Sequence, residues 1–288
     1  MKLMVLDGNS VINRAYYGVR ALTTKDGFFT NAIYGFLNIL EKLRAEEQPD
    51  ALCVAFDLKA PTFRHLQYDG YKATRHPMPD ELAMQMPVMK DVLRAMQIPI
   101  FECEGWEADD VIGTIGKRCS HAGWNCVIVT GDRDSLQLID EHVTVKLVSS
   151  KLSQTVAVNY DPAKFREEYG FDPIHLIDLK ALMGDSSDNI PGVAGVGPKT
   201  ATQLLLDYGT LDGVYAHLDA IKEKLRAKLE QGKDSAYLSY DLATIRCEAP
   251  IAFSPEACLV QPYDEAALYR LFTRLEFTRL ISRYGLHA

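Results

Sequence analysis

Acidic residues follow the apolar runs of this chain in a repeated way. LMVL (3–6) leads into Asp7, ALCVAF (51–56) into Asp57, and CVIVTG (126–131) into Asp132 and Asp134. IPIFECEGW (98–106) runs into Glu107, Asp109 and Asp110. Each run is short and separated from the next by a helical pattern, which is the signature of strands in a parallel α/β sheet. Open parallel sheets bind ligands outside the carboxyl ends of their strands. Four strands that deliver acids to that edge crowd at least six carboxylates together, and such a cluster repels itself unless cations occupy it. Oxygen donors with no histidine or cysteine among them favour Mg²⁺ or Mn²⁺ over zinc. Taken singly, the acids have simpler readings. Glu107, Asp109 and Asp110 suit the first turn of a helix, Asp7 suits an N-cap, and Asp132 and Asp134 suit a turn after Gly131. Four such coincidences at one sheet edge favour a shared metal site.

A second acid group lies in LMGDSSDNIPGVAGVGPKTA (182–201). Asp185 and Asp188 are three apart, so one helical turn would put both on one side. Gly192, Gly195 and Gly197 follow, then Lys199 and Thr200 open a helix. Glycines ahead of a helix N-terminus let backbone N–H groups approach a phosphate closely. A dinucleotide site would need these glycines to follow a strand, and a P-loop would need the GxxxxGK[ST] spacing. A helix–hairpin–helix gripping a nucleic-acid backbone fits better.

Between Asp57 and Ile98 lies a connection of 40 residues, long for a crossover. From Lys59 to Arg94 it carries six bases against four acids. Tyr71 stands beside Lys72, with Arg75 three residues on; cations mixed with an aromatic suit a single strand, by charge on phosphate and stacking on base. Pro77 and Pro79 stop any helix from running through, and Pro87 is expected to kink the helix that follows.

The elements that must position these residues follow from periodicity. Strands are expected at 3–6, 51–56, 98–101 and 126–129, with a further pair at 142–148 and 155–158. Helices are expected at 31–47, 80–96 and 107–120, and beyond residue 160 at 162–169, 173–183, 198–207, 219–230 and 232–244. The last 25 residues again carry helical periodicity. The fold class is therefore α/β, a mostly parallel sheet flanked by helices, followed by a helical subdomain. The expected division is 1–170 and 171–288, with the basic connection at about 59–96 and the hairpin at about 175–207.

Composition sets the remaining bounds. The 288 residues are 47% hydrophobic and 24% charged, an ordinary globular balance. The longest charge-free stretch, Gly27–Leu40, is 14 residues and contains two asparagines, too short and too polar to span a membrane. The six cysteines form no CxxC pair, which argues against a zinc or thiol-redox motif. A cytoplasmic protein is expected. The net charge of −8 is concentrated, with eight acids against three bases between Phe101 and Asp140. Setting nine candidate metal acids aside leaves +1, which is compatible with nucleic-acid binding once cations neutralise the cluster.

LDGNS (6–10), FDLKAPTFR (56–64), YKATR (71–75), GWEADDVIGT (105–114), TGDRDSLQL (130–138) and the 182–201 segment, in this order, resemble the flap-endonuclease family, and within it the 5′-to-3′ exonuclease domain of bacterial DNA polymerase I. The resemblance covers nearly the whole chain and implies a PIN-like nuclease core. It implies that Asp7, Asp57, Glu107, Asp109, Asp110, Asp132, Asp134, Asp185 and Asp188 bind two or more divalent ions, their division between the ions left open. It places Lys72 and Arg75 on an arch that admits a free 5′ end, acting on the scissile phosphate. Arg14, Arg64 and Tyr71 become DNA contacts, and Gly192, Gly195, Gly197, Lys199 and Thr200 the hairpin that holds duplex, with K⁺ bound there. The implied reaction is phosphodiester hydrolysis. The implied partner is DNA with a free 5′ end, flap or nick, or an RNA primer in a hybrid, acted on by a monomer associated with the nucleoid. A free-standing nuclease and the amino-terminal domain of a polymerase fit the sequence equally. Two rivals come from other classes. An aspartyl phosphatase would want DxD after the first strand, where this chain has Asp7-Gly8-Asn9. A non-catalytic DNA-binding relative would lack some of the acids, and none of the nine is missing.

Overall fold

The computed structural model describes residues 1–151 and 154–288. Six strands form one sheet: β1 (Lys2–Asp7), β2 (Ala51–Ala55), β3 (Ile100–Phe101), β4 (Asn125–Thr130), β5 (Val143–Lys151) and β6 (Gln154–Tyr160). Their order is β3-β2-β1-β4-β5-β6. All neighbours are parallel except β6, which returns antiparallel on β5. The chain moves from β1 outward to β2 and β3, then crosses back to β4 on the other side of β1. The order therefore reverses between β1 and β4, and a crevice opens at the carboxyl ends of those strands.

Strand alternation divides the core into two faces. Leu3, Val5, Cys53, Cys126 and Ile128 face the helix Ala108–His121 through Val111, Ile112 and Ile115. Met4, Leu6, Leu52, Val54, Val127 and Val129 join a second core with the helices Gly8–Gly18, Asn31–Glu47 and Gln85–Ala95. Burying each such side chain stabilises the fold by about 1.5–3 kcal/mol relative to exposure.

The expected helix at 80–96 is two helices, Asp80–Ala83 and Gln85–Ala95, broken at Met84. Pro87 causes the break three residues before itself, because its ring and missing N–H act on the carbonyl of Ala83, the residue four back. Helices Gly8–Gly18, Phe63–Gln67 and Leu211–Ala216 have no counterpart in the periodicity. The first is capped by Asp7, which accepts from the Ser10 N–H at 3.0 Å.

The last helices depart from the expected division. Glu265–Arg274 and Thr278–Arg283 do not join the helical half. Leu268, Phe272, Phe277 and Leu280 instead enter the second core of the sheet. Phe277 meets Tyr34 edge to face at 5.5 Å, Arg44 donates to the Tyr263 hydroxyl at 2.7 Å, and Leu259 bridges Ala51 at the sheet. Among the described residues, no helix is long and apolar enough to cross a membrane.

Candidate active site

The crevice at the β1–β4 switch point is an open cleft of about 890 Å³ lined by Asp7, Asp57, Asp109, Asp132, Asp134 and Asp185. Asp7 ends β1, and its second oxygen accepts from the Thr130 hydroxyl on β4 at 2.8 Å. That hydroxyl also receives the Asp132 N–H at 3.0 Å, so one threonine ties the acids of two strands. Asp57 follows β2 and accepts from the Ala108 N–H at 2.7 Å, the favoured place for a carboxylate at a helix N-terminus. Asn9 receives the Asp57 N–H at 2.9 Å. Asp132 caps the 3₁₀ turn Arg133–Leu138 by accepting from the Asp134 N–H at 2.9 Å.

The far wall comes from the helical half. Asp185 and Asp188 share a side, but through a turn and not a helix: Asp185 and Ile190 exchange backbone hydrogen bonds of 2.9 and 2.8 Å. Carboxylate oxygens of Asp134, Asp185 and Asp188 lie within 4.8 Å of one another. Lys180, from the helix Leu176–Met183, pairs with both Asp134 and Asp185.

The basic connection docks on this turn. The Lys72 N–H donates to the Asp188 carbonyl at 2.9 Å, and Asn189 donates to the Gly70 carbonyl at 2.7 Å. Lys72 is held at φ 55°, a region that non-glycine residues rarely occupy and that recurs at functional sites. Its ammonium pairs with Glu107, and Arg75 pairs with Asp188 at 2.5 Å. Lys72 through Pro79 then runs along the cleft rim.

Four of the expected site residues lie behind the cleft wall. Glu107 is buried and receives Tyr71 at 2.9 Å along with Lys72 and Arg64. Asp110 is fully buried, and its oxygens accept from Arg64 twice at 2.8 Å, from the Glu107 N–H at 3.1 Å and from the Arg246 N–H at 2.9 Å. Those four bonds fill the acceptor positions of a carboxylate, so as placed Asp110 turns to the interior and not to a cation. Arg64, expected on the DNA, is 2% exposed and faces inward. Tyr71 is likewise buried against Glu107 and presents no face for stacking. Arg14 donates to the carbonyl of Gly131, which lines the cleft, at 3.2 Å, and its Nε is buried without a partner among the described residues.

The hairpin forms between the helices Leu176–Met183 and Pro198–Tyr208. Gly192 (φ 61°) is buried, and a Cβ there would stand 2.2 Å from the Gly184 nitrogen. Gly195, Gly197 and Lys199 are exposed and Thr200 is partly so, and a Cβ on Gly197 would meet nothing within 4 Å. The helix Pro198–Tyr208 opens on a proline with no side-chain cap, so its first free N–H groups among the described residues are those of Lys199 and Thr200.

Two family models match the chain: the 5′-3′ exonuclease N-terminal resolvase-like domain over residues 2–170 and the 5′-3′ exonuclease C-terminal SAM fold over residues 171–266. The chain belongs to the 5′-3′ exonuclease family. DNA polymerase I of Caldicellulosiruptor bescii is 46% identical over 286 residues, 99% of this chain and 34% of that protein, so the chain spans about a third of this relative. Two solved structures share the fold: T5 D15 protein co-crystallized with metal ions (TM-score 0.70, 20% identity, 99% of each chain) and the catalytic core of Rad2 in complex with DNA substrate (0.63, 17%, 95% of this chain and 87% of that one).

As a member of this exonuclease family the chain is a nuclease, and its cleft has the electrostatics of a cation site. Burial, with the charges of Asp57 and Asp132 adding to it, pushes Asp7 up to about 6. Burial and Asp132 push Asp134 up to about 7 against the pull of Lys180. Asp109 rises well above the carboxylate range through burial, Asp132 and Asp7. Burial opposes charge on Asp185 too, but Lys180 and Ser187 bring it down to about 2. Glu107 is also lowered, because Lys72 and Arg64 outweigh its burial. Carboxylates held so high are short of positive charge, and the donor set is oxygen alone. The residues fit hard divalent cations. Sequence reasoning missed Lys180 and Thr130. The helix LIDLKALM is otherwise almost wholly buried, so a lysine in its middle was the available signal, since lysine is rarely buried unless paired.

Proposed function

We propose that the chain hydrolyses DNA phosphodiesters from a free 5′ end, as a 5′-to-3′ exonuclease and a structure-specific 5′ flap endonuclease that depends on divalent cations. One observation carries this reading: six carboxylates from the carboxyl ends of separate strands and one turn of the helical half line a single cleft, beside Lys72 and Arg75. Asp7, Asp57, Asp109, Asp132, Asp134, Asp185 and Asp188 would hold the cations, with Glu107 behind them. Mg²⁺ or Mn²⁺, two ions or more, would generate hydroxide from water and stabilise the attacking and leaving oxygens. Lys72 and Arg75, paired with Glu107 and Asp188 here, would meet the scissile phosphate by leaving those partners. Arg14, bonded to the carbonyl of Gly131 at the cleft, is a further candidate phosphate contact. The exposed backbone of Gly195 and Gly197, with Lys199 and Thr200, grips duplex, with K⁺ at the hairpin. Removal of flaps and RNA primers by a monomer at the nucleoid follows from this specificity.

The non-catalytic alternative would lack some of these acids, and none of the nine is missing. Cleavage of a 5′-labelled flap, with and without Mg²⁺, tests the reading. Activity that vanishes in EDTA while circular dichroism stays unchanged supports it, and full cleavage in excess EDTA sinks it.

A further inference from the structure

Arg64 has no exposure with which to touch a substrate, yet it is the most fully bonded side chain near the cleft. Its Nε donates to the Leu242 carbonyl at 2.9 Å. Nη1 donates to Glu107 at 2.5 Å and Asp110 at 2.8 Å, and Nη2 to Asp110 at 2.8 Å and the Thr244 carbonyl at 2.6 Å. These five bonds use all five guanidinium donors. Phe63 lies under the group at 4.5 Å and also carries Arg246 at 4.2 Å. Burial disfavours a charge here, but Asp110 and Glu107 outweigh it and hold the guanidinium charged.

The two ends of this fork lie in different parts of the chain. The acids belong to the N-terminus of the helix Ala108–His121, which also carries Asp109 into the cleft. The carbonyls close the helix Lys233–Ala243. That second helix holds the hairpin as well: Ser239 accepts from the Gly192 N–H at 2.8 Å and Ser235 donates to the Gly192 carbonyl at 2.6 Å. Lysine cannot replace such a fork, since a point charge lacks the planar bidentate geometry that joins Asp110 to two carbonyls.

We infer that Arg64 is a positioning residue, which fixes Glu107 and Asp110 behind the cleft and locks the acid-bearing helix to the helix that carries the hairpin. The inference rests on the nuclease reading for its consequence and on geometry alone for its contacts. Because Asp109 and Glu107 flank the locked turn, a shift of about 1 Å there is enough to cost about a hundredfold in rate.

Arg64→Lys in the full chain is the test, because it keeps the charge and approximates the volume. Single-turnover flap cleavage is expected to fall about a hundredfold, while flap affinity measured in Ca²⁺ changes less than about threefold with an unchanged salt slope. A phosphate contact behaves the other way: lysine would rescue the rate, and Arg64→Met would weaken affinity and flatten the salt slope by about one. That outcome overturns the inference. Hydrogen exchange in the metal-free protein gives a readout independent of activity. The amides of Glu107 and Arg246, both bonded to Asp110, should exchange faster in Arg64→Lys while those of β1 and β4 do not; unchanged exchange at Glu107 and Arg246 overturns the inference even if the chain cuts nothing. Asp110→Asn supplies the second variant. If Arg64 acts through Asp110, adding Arg64→Lys to it lowers the rate by less than about threefold more, whereas an independent contact adds its full effect.

Discussion

Cation binding to the cleft is expected to release at least about one proton at pH 6.5 and fewer at pH 8, where two of its acids together give up only about a tenth of one. The perturbation is the addition of Mg²⁺ to metal-free protein, and the magnitude follows from two acids. With Asp7 near 6 and Asp134 near 7, the first is about a quarter protonated and the second about three quarters at pH 6.5, by simple titration. At pH 8 the two together hold about a tenth of a proton. The sign is set by the direction of the shifts. A raised carboxyl keeps its proton in the empty cleft, and a cation that needs the ionised oxygens must displace it, so affinity rises with pH through this range and levels off above it. Asp185, brought down to about 2, is already ionised and contributes nothing in the window. Asp109, raised in the same direction, makes both figures lower bounds. Titration calorimetry at each pH, in two buffers of different protonation enthalpy, counts the protons directly. Release that is absent at pH 6.5, or equal at the two pH values, would refute the reasoning that burial, with the neighbouring carboxylates adding to it, holds these acids protonated in the empty cleft.

Two further outcomes separate chemistry from grip. Lys72→Ala and Arg75→Ala should each cut single-turnover cleavage by about a hundredfold or more, with flap affinity in Ca²⁺ changed less than about tenfold, because these cations meet the phosphate mainly in the transition state; affinity that falls as far as rate makes them ordinary backbone contacts. At the hairpin, Gly197→Val and Lys199→Ala should weaken duplex binding with an unchanged melting temperature. Gly192→Ala should instead destabilise the protein by about 2 kcal/mol or more, since its backbone is left-handed and packs on Gly184. Thermal melts beside binding isotherms at fixed ionic strength check both, and a Gly192→Ala protein as stable as the parent contradicts the packing.

The strand-end acids were legible because a strand's direction fixes where its last residue points, and the parallel order then gathers those ends. The helix Asn31–Glu47 was legible to the residue for a similar reason, its apolar stripe being long and uninterrupted. Asp109 and Asp110 were not separable by composition, but helix geometry separates them. Neighbours on a helix diverge by about 100°, so one faces the cleft and the other turns inward to Arg64. Arg64 itself was misleading, since an arginine in a basic connection reads as a phosphate contact until its partners from residues 107, 110, 242 and 244 are in view. Those partners are far off in sequence, and no local period encodes them. The same holds for the C-terminal helices, whose amphipathic pattern announces an apolar face without naming the surface it covers.

The route of those last helices has a consequence for how the chain is made. A boundary drawn along the sequence near residue 266, where the family models end, suggests a nuclease domain finished early and an appendage added after it. Leu268, Phe272, Leu280 and Leu286 belong to the same core as Met4 and Leu6, so the first strand waits for the final residues. As the polypeptide emerges from the ribosome at about 5–20 residues per second, the helices Gly8–Gly18, Asn31–Glu47 and Gln85–Ala95 can cover much of that face early, but the core is complete only once residues 268–286 have emerged. A core begun by the first strand is thus finished by the last helices of this segment.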